Sequence, residues 1–155
     1  MSIYLNDHLA GSTNGRELVR RAASNNRGNE YGAVLSELSS EIDEDRATLL
    51  ALMRNLNVEV NHAKVIGGWV AEKAGRLKLN GSLRSYSPLS RVVELEALML
   101  GVDGKRNLWV ALDALSSGEP VLSAAGLPDL IARADRQLAR LEEQRRRAIV
   151  EALAD

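Results

Sequence analysis

Cysteine is absent from this 155-residue chain. Its absence excludes disulfides, thiolate metal sites and cysteine nucleophiles. Phenylalanine is absent as well, and three Tyr and two Trp supply all the aromatic side chains. The core therefore has to be built from Leu, Val, Ile and Ala, a set that suits helices. No charge dominates: 20 basic residues stand against 21 acidic ones for a net charge of −1, so no global field recruits nucleic acid or anionic lipid. No apolar run approaches the roughly 18–20 residues of a membrane span. The opening Met1-Ser2-Ile3-Tyr4-Leu5-Asn6-Asp7-His8 lacks the basic-then-apolar order of a signal peptide, and the expected location is the cytoplasm.

Hydrophobic residues make up 45% of the chain and charged ones 26%, which fits one ordered domain over residues 1–155 and not a disordered chain. Nothing alternates at period two, so strands are not expected. The first helix is predicted over Ile3–Ser24, with apolar positions Ile3, Tyr4, Leu5, Leu9, Leu18, Val19 and Ala22. Its middle holds Ala10, Gly11, Ser12 and Gly15. A glycine inside a helix costs about 1 kcal/mol against Ala, so this pair implies a close neighbour or bound group, or else a break near Gly11. Asn25–Asn29 reads as a turn, and a second helix is predicted over Tyr31–Leu56. A shorter third follows over His62–Leu77, capped by Asn61. Ser87 and Pro88 mark the start of a fourth helix, Pro88–Leu115, with a stripe of Leu89, Val92, Leu95, Met99, Val102, Trp109 and Leu112. A second stripe of Leu98, Gly101, Lys105 and Leu108 turns Lys105 inward. Ser116–Pro120 is a turn, and the fifth helix is predicted over Pro128–Ala152 with Ile131, Ala134, Leu138, Leu141, Ala148 and Leu153 on its face.

The second helix carries the most regular seam: Leu35, Leu38, Ile42, Asp45, Leu49, Leu52 and Leu56, in steps of three and four. Asp45 breaks its apolar rule, with Glu41 one turn earlier. A carboxylate inside a bundle is costly unless paired. The short link to the first helix implies an antiparallel pairing in which positions summing to about 57 face each other. Ser12 then lies opposite Asp45, Arg16 opposite Glu41, and His8 a turn from Asp45. Glu94 and Lys105 complete a candidate buried polar network of His8, Arg16, Glu41, Asp45, Glu94 and Lys105, read first as fixing helix register. On that reading Asp45→Leu leaves the bundle folded. The basic face of Arg136, Arg140, Arg145, Arg146 and Arg147 is balanced by Glu142, Glu143 and Glu151, with expected pairs Glu142–Arg146 and Glu143–Arg147. Interleaved acids and missing aromatics argue against nucleic acid. Trp69 and Trp109 read as core or interface anchors.

Two long-helix hairpins joined by one long connection resemble the ferritin-like bundle. Leu5-Asn6-Asp7-His8-Leu9-Ala10-Gly11 is similar to the opening helix of several such proteins. Glu41 and Glu44-Asp45 fall where that fold's second helix carries ligands, and Glu94 or Glu96 near its third helix's ligand. The resemblance implies an all-α bundle of four long antiparallel helices, with a crossover holding a short fifth. It also implies a di-iron site built on Glu-x-x-His, which the chain's two histidines do not supply. Leu5 precedes His8 by three, and Glu59, three before His62, straddles the Asn61 helix start. The expectation is thus a ferritin-like bundle whose metal site is lost, non-catalytic, without cofactor, and acting as a homo-oligomer (a dimer) or with a protein partner. The alternatives are a carboxylate-rich bundle holding iron or manganese through Glu41, Asp45, Glu94 and His8, or a small-ligand pocket beside Gly11 and Gly15.

Overall fold

The four long helices align their apolar seams around one axis, and almost all other features follow from how their ends are tied. The computed structural model describes residues 1–61 and 86–154; the expected helix over His62–Leu77, with Trp69, lies outside them. Helix α1 runs Ser2–Asn25, α2 Glu30–Asn55, α3 Pro88–Asp113 and α5 Leu127–Leu153, with a short α4, Pro120–Ser123, preceded by a 3-10 turn at Ser116–Gly118. No strand occurs among the described residues, and no described helix is long and apolar enough to cross a membrane. The sequence boundaries hold to within two residues. Helix α1 continues through Gly11 and Gly15 without a break. Start signals act locally as expected: Asn29 accepts the Gly32 amide at 3.1 Å, and Ser87 forms a reciprocal capping box with Ser90, one residue before Pro88.

One end of the bundle is closed by Asn26, buried in the α1–α2 turn. Its amide nitrogen donates to Ala22 O at 2.9 Å and to the Tyr86 hydroxyl at 2.7 Å, and its oxygen accepts from Arg91 Nε at 2.7 Å. These bonds place the start of α3 beside the end of α1. Arg91 also lies 4.3 Å from the Tyr31 ring centroid and 2.6 Å from the Glu151 carboxylate, which accepts the Tyr31 hydroxyl at 2.8 Å. The start of α2, the start of α3 and the end of α5 thus meet at this end. At the other end Asn6 of α1 donates to Glu59 O at 3.0 Å and accepts the Asn61 amide at 2.6 Å, holding the chain that leaves α2. Helices α1 and α5 therefore run one way and α2 and α3 the other, and the connection between α2 and α3 begins and finishes at opposite ends of the bundle.

The α2 seam is buried as read from Leu35 through Leu38, Ile42, Asp45, Leu49 and Leu52, but Leu56 is only half-buried, and Tyr31 one turn earlier joins the buried row. The α5 face is rotated from the expected one. Its buried row is Leu127, Leu130, Ala134, Gln137, Leu141, Gln144 and Ala148, again in threes and fours, while Leu153 is exposed. Two glutamines in that row masked it, because an apolar count skips polar core positions. Leu89 on α3 and Ile3 on α1 also face solvent instead of the core. The buried apolar residues form two clusters, one around Val19, Leu35, Leu38, Leu95 and Leu141, the other around Leu5, Leu9, Leu52, Trp109 and Leu127.

Glycines mark two opposite situations. A Cβ on Gly32 would sit 2.2 Å from the Asn26 carbonyl oxygen, so the α1–α2 turn closes only over a hydrogen at that position. At Gly11, Gly15, Gly101 and Gly104 a Cβ would meet nothing within 4 Å. Gly32→Ala should therefore lower the melting temperature by several degrees, whereas Gly11→Ala or Gly101→Ala should raise stability by about 0.5–1 kcal/mol. Thermal denaturation followed by circular dichroism distinguishes them; equal effects at Gly32 and Gly11 would contradict the packing described.

Candidate functional site

Asp45 stands between the two apolar clusters with 2% of its surface exposed. Its seam position on α2 forces the carboxylate inward, and α3 and α5 supply its partners. The Lys105 ammonium donates to Asp45 Oδ2 and to Gln137 Oε1. Gln137, fully buried, donates from Nε2 to Asp45 Oδ2 at 3.2 Å and to Glu41 Oε2 at 2.9 Å. Arg140 donates to Glu41 Oε1 at 2.6 Å. Arg133 Nη2 lies 2.6 Å from Asp45 Oδ1 but off the line of a hydrogen bond, so it is a charge contact, and its Nη1 donates to Glu44 at 2.9 Å. Asp45, Glu41 and Glu44 are thus matched by Lys105, Arg140 and Arg133. Burial pulls the Lys105 ammonium below its ordinary value, more than the Asp45 charge raises it. For Glu41 burial pushes up, but the hydrogen bonds from Arg140 and Gln137 outweigh it and hold the carboxyl low.

Three residues expected in this network stand elsewhere, His8 among them, packed edge-on against Tyr4 and not bonded to Asp45. Arg16 donates to Asp43 at 2.6 Å and not to Glu41, because the α1–α2 register differs from the assumed sum of 57 and turns Glu41 toward α5. Glu94 accepts from Arg21 at 3.1 Å and Asn25 at 3.4 Å near the Asn26 end, well away from Asp45. The geometry brings Glu41, Asp45 and Lys105 together. It adds Gln137, Arg133 and Arg140, which the sequence reading left on a solvated face or passed over as polar. Of the expected surface pairs, Arg146 reaches Glu142 at 2.7 Å, whereas Arg147 turns to Glu30 on α2.

The fourth side of this polar layer is α1, which contributes there Gly11, Ser12 and Gly15. The result is a cleft of about 400 Å³ between α1 and α3, floored by α2. Gly101, Gly104, Lys105 and Trp109 line it from α3, and Ile42, Asp45 and Arg46 from α2. His8 lies at its rim, edge-on to Tyr4 with ring centroids 4.6 Å apart. Burial lowers the His8 imidazole's pKa against the raising pull of Asp7, favouring the neutral ring. Trp109 is 1% exposed and its indole N–H has no hydrogen-bond partner; Arg46 Nε is likewise buried and unpartnered. Trp109 is part of a core cluster, as expected, and also a wall of the cleft.

A di-metal centre of the kind the resemblance implies does not fit these residues. Glu41 and Asp45 are each occupied by cationic side chains from α3 and α5, Glu94 points to a different partner set, and no group of three or more His, Asp or Glu side chains converges among the described residues. Set against known proteins, the chain matches no family model, no curated protein and no solved structure.

These contacts change what removal of Asp45 does. Asp45→Leu strands the buried Lys105 charge and should cost about 3 kcal/mol or more, while Asp45→Leu combined with Lys105→Met should recover to within about 1 kcal/mol of the parent. Urea denaturation of the two variants measures this; a single variant as stable as the double would show that the pair is not coupled.

Proposed function

We propose that this chain is a small-ligand-binding helical bundle, ferritin-like in its wiring, that takes a compact and mostly apolar molecule into the α1–α3 cleft. One observation carries the reading. Four glycines stand inside long helices, none is required by a close neighbouring backbone, and all four line the same cleft. Together they cost roughly 2–4 kcal/mol of helix stability with no packing gained in return. Open space at the level of the polar layer is what they provide. The volume lies within the range of about 300–1,000 Å³ for small-molecule sites, where an apolar lining with a few placed polar groups is the common pattern. The reversed order of α2 and α3 about one long connection supports the ferritin-like wiring.

N-phenyl-1-naphthylamine, a neutral apolar fluorophore, is a direct probe. The wild-type protein should bind it with enhanced, blue-shifted emission. The Gly15→Leu/Gly104→Leu variant, whose new side chains enter the open space, should keep its helicity and lose the signal. Undiminished binding by that filled variant would sink the proposal.

A second reading is favoured by exposed apolar side chains on α3 that run from its start to Leu100 at the cleft. Leu89, Val93 and Leu100 lie on one face of α3 and are 53%, 41% and 77% exposed, a row suited to pairing with a second copy of this chain. Sedimentation velocity at tens of micromolar should then show a dimer that Leu89→Glu/Val93→Glu converts to monomer; a wild-type monomer at that concentration excludes it.

A further inference from the structure

The chemical class of the ligand is legible in the donors that the fold leaves unpartnered. Among the described residues, the buried side-chain nitrogens that find no hydrogen-bond partner are Arg46 Nε and Trp109 Nε1. Both residues line the same cleft. An unmet buried donor is costly, and two such donors belonging to residues on the wall of one cleft call for an acceptor there. The Asp45–Lys105 contact sets α2 and α3 in parallel register, which puts Trp109 about one helical turn, roughly 5 Å, along the bundle from Arg46.

Charge sharpens the choice of acceptor. Arg46 makes no ion pair with a described residue, and the carboxylate whose charge acts on it, Asp43, is already held by Arg16 at 2.6 Å and Arg20 at 2.7 Å. Three guanidinium groups, those of Arg16, Arg20 and Arg46, thus share one carboxylate. Lys105 is less available to a ligand, because its charge is matched by Asp45 and two of its three N–H donors are spent on Asp45 and Gln137. Asp45 in turn is neutralised by Lys105 and Arg133, and Asp7, the other acid along the cleft, lies toward the His8 end and carries interactions of its own. Arg46 is the group left to fork onto a planar anion.

We infer that the cleft selects an amphipathic monocarboxylate, its apolar body lying along the glycine-lined trough and its carboxylate held by Arg46 with the Trp109 N–H. This rests on the cleft reading above and adds the head group to it. A single unmatched guanidinium and one indole N–H suit one carboxylate with two acceptor oxygens.

The test displaces bound N-phenyl-1-naphthylamine with decanoate and, separately, with 1-decanol, which shares the chain and lacks the charge. Decanoate should displace the probe at concentrations at least about tenfold lower, the scale of one charge-assisted hydrogen bond. In Arg46→Gln that ratio should fall to near one, and Arg46→Lys, which keeps the charge without the fork, should lie between. In a Trp69→Phe background decanoate should also shift the Trp109 emission. Equal potency of decanoate and decanol, a ratio unchanged in Arg46→Gln, or no displacement by decanoate below its micellar concentration would each overturn the carboxylate assignment. In those cases the apolar cleft still stands if the filled Gly15→Leu/Gly104→Leu variant loses the probe. If that variant binds the probe as the parent does, the cleft itself is refuted.

Discussion

A carboxylate at the centre of an aliphatic bundle has to be neutralised from another helix, and Asp45 is neutralised from two. The charges of Lys105 on α3 and Arg133 on α5 reach it from separate elements, and the Gln137 amide of α5 adds a hydrogen bond. Such a layer gains little net stability over an apolar one, because desolvation offsets most of the attraction. What it imposes is register: a slip of α3 or α5 by one turn would leave a charge buried alone, a cost of several kcal/mol. The layer therefore divides the core into two apolar halves and fixes how the helices slide along one another.

The layer has three walls of side chains and one of backbone. Helix α1 carries glycine and serine at this level, so the Asp45–Lys105 contact is open on that side to the cleft. The stability forgone at Gly11, Gly15, Gly101 and Gly104 leaves a space whose interior borders a buried ion pair and whose α2 side carries an unpaired guanidinium. In a low-dielectric setting, a charged or polar group placed there is felt strongly. Packing and polarity at this point work against maximal stability, a combination commonly found where a site is kept.

The two ends are tied by amide side chains. Asn26 and Asn6 are both buried, and each ties chain outside the helices to the bundle, Asn26 through the Tyr86 hydroxyl and Asn6 through the backbone of Glu59 and Asn61. Irregular backbone at a bundle end has donors and acceptors to satisfy, and an asparagine can offer one of each. Gly32 allows the close approach that puts Asn26 in place.

How much of this was legible divides along a physical line. Helix boundaries and the α2 seam follow from local chemistry: caps at Asn29 and Ser87, Pro88 at a first turn, and the three–four spacing from Leu35 to Leu52 are properties of neighbouring residues, and they could be read from order alone. The inward turn of Lys105 was visible for the same reason, as part of a stripe. Gln137 and Gln144 were not, because a polar side chain in a seam is indistinguishable by composition from one in water; only the helix opposite decides. Arg16 and Glu94 were misplaced because register between helices is set by summed side-chain contacts over their whole length, and a shift of two residues redirects every ion pair. The sequence alone determined which segments coil and that one buried acid needed a partner. The tertiary structure decided which partner it took and whether the glycines faced a backbone or an empty space, since both depend on what another helix brings to the same height.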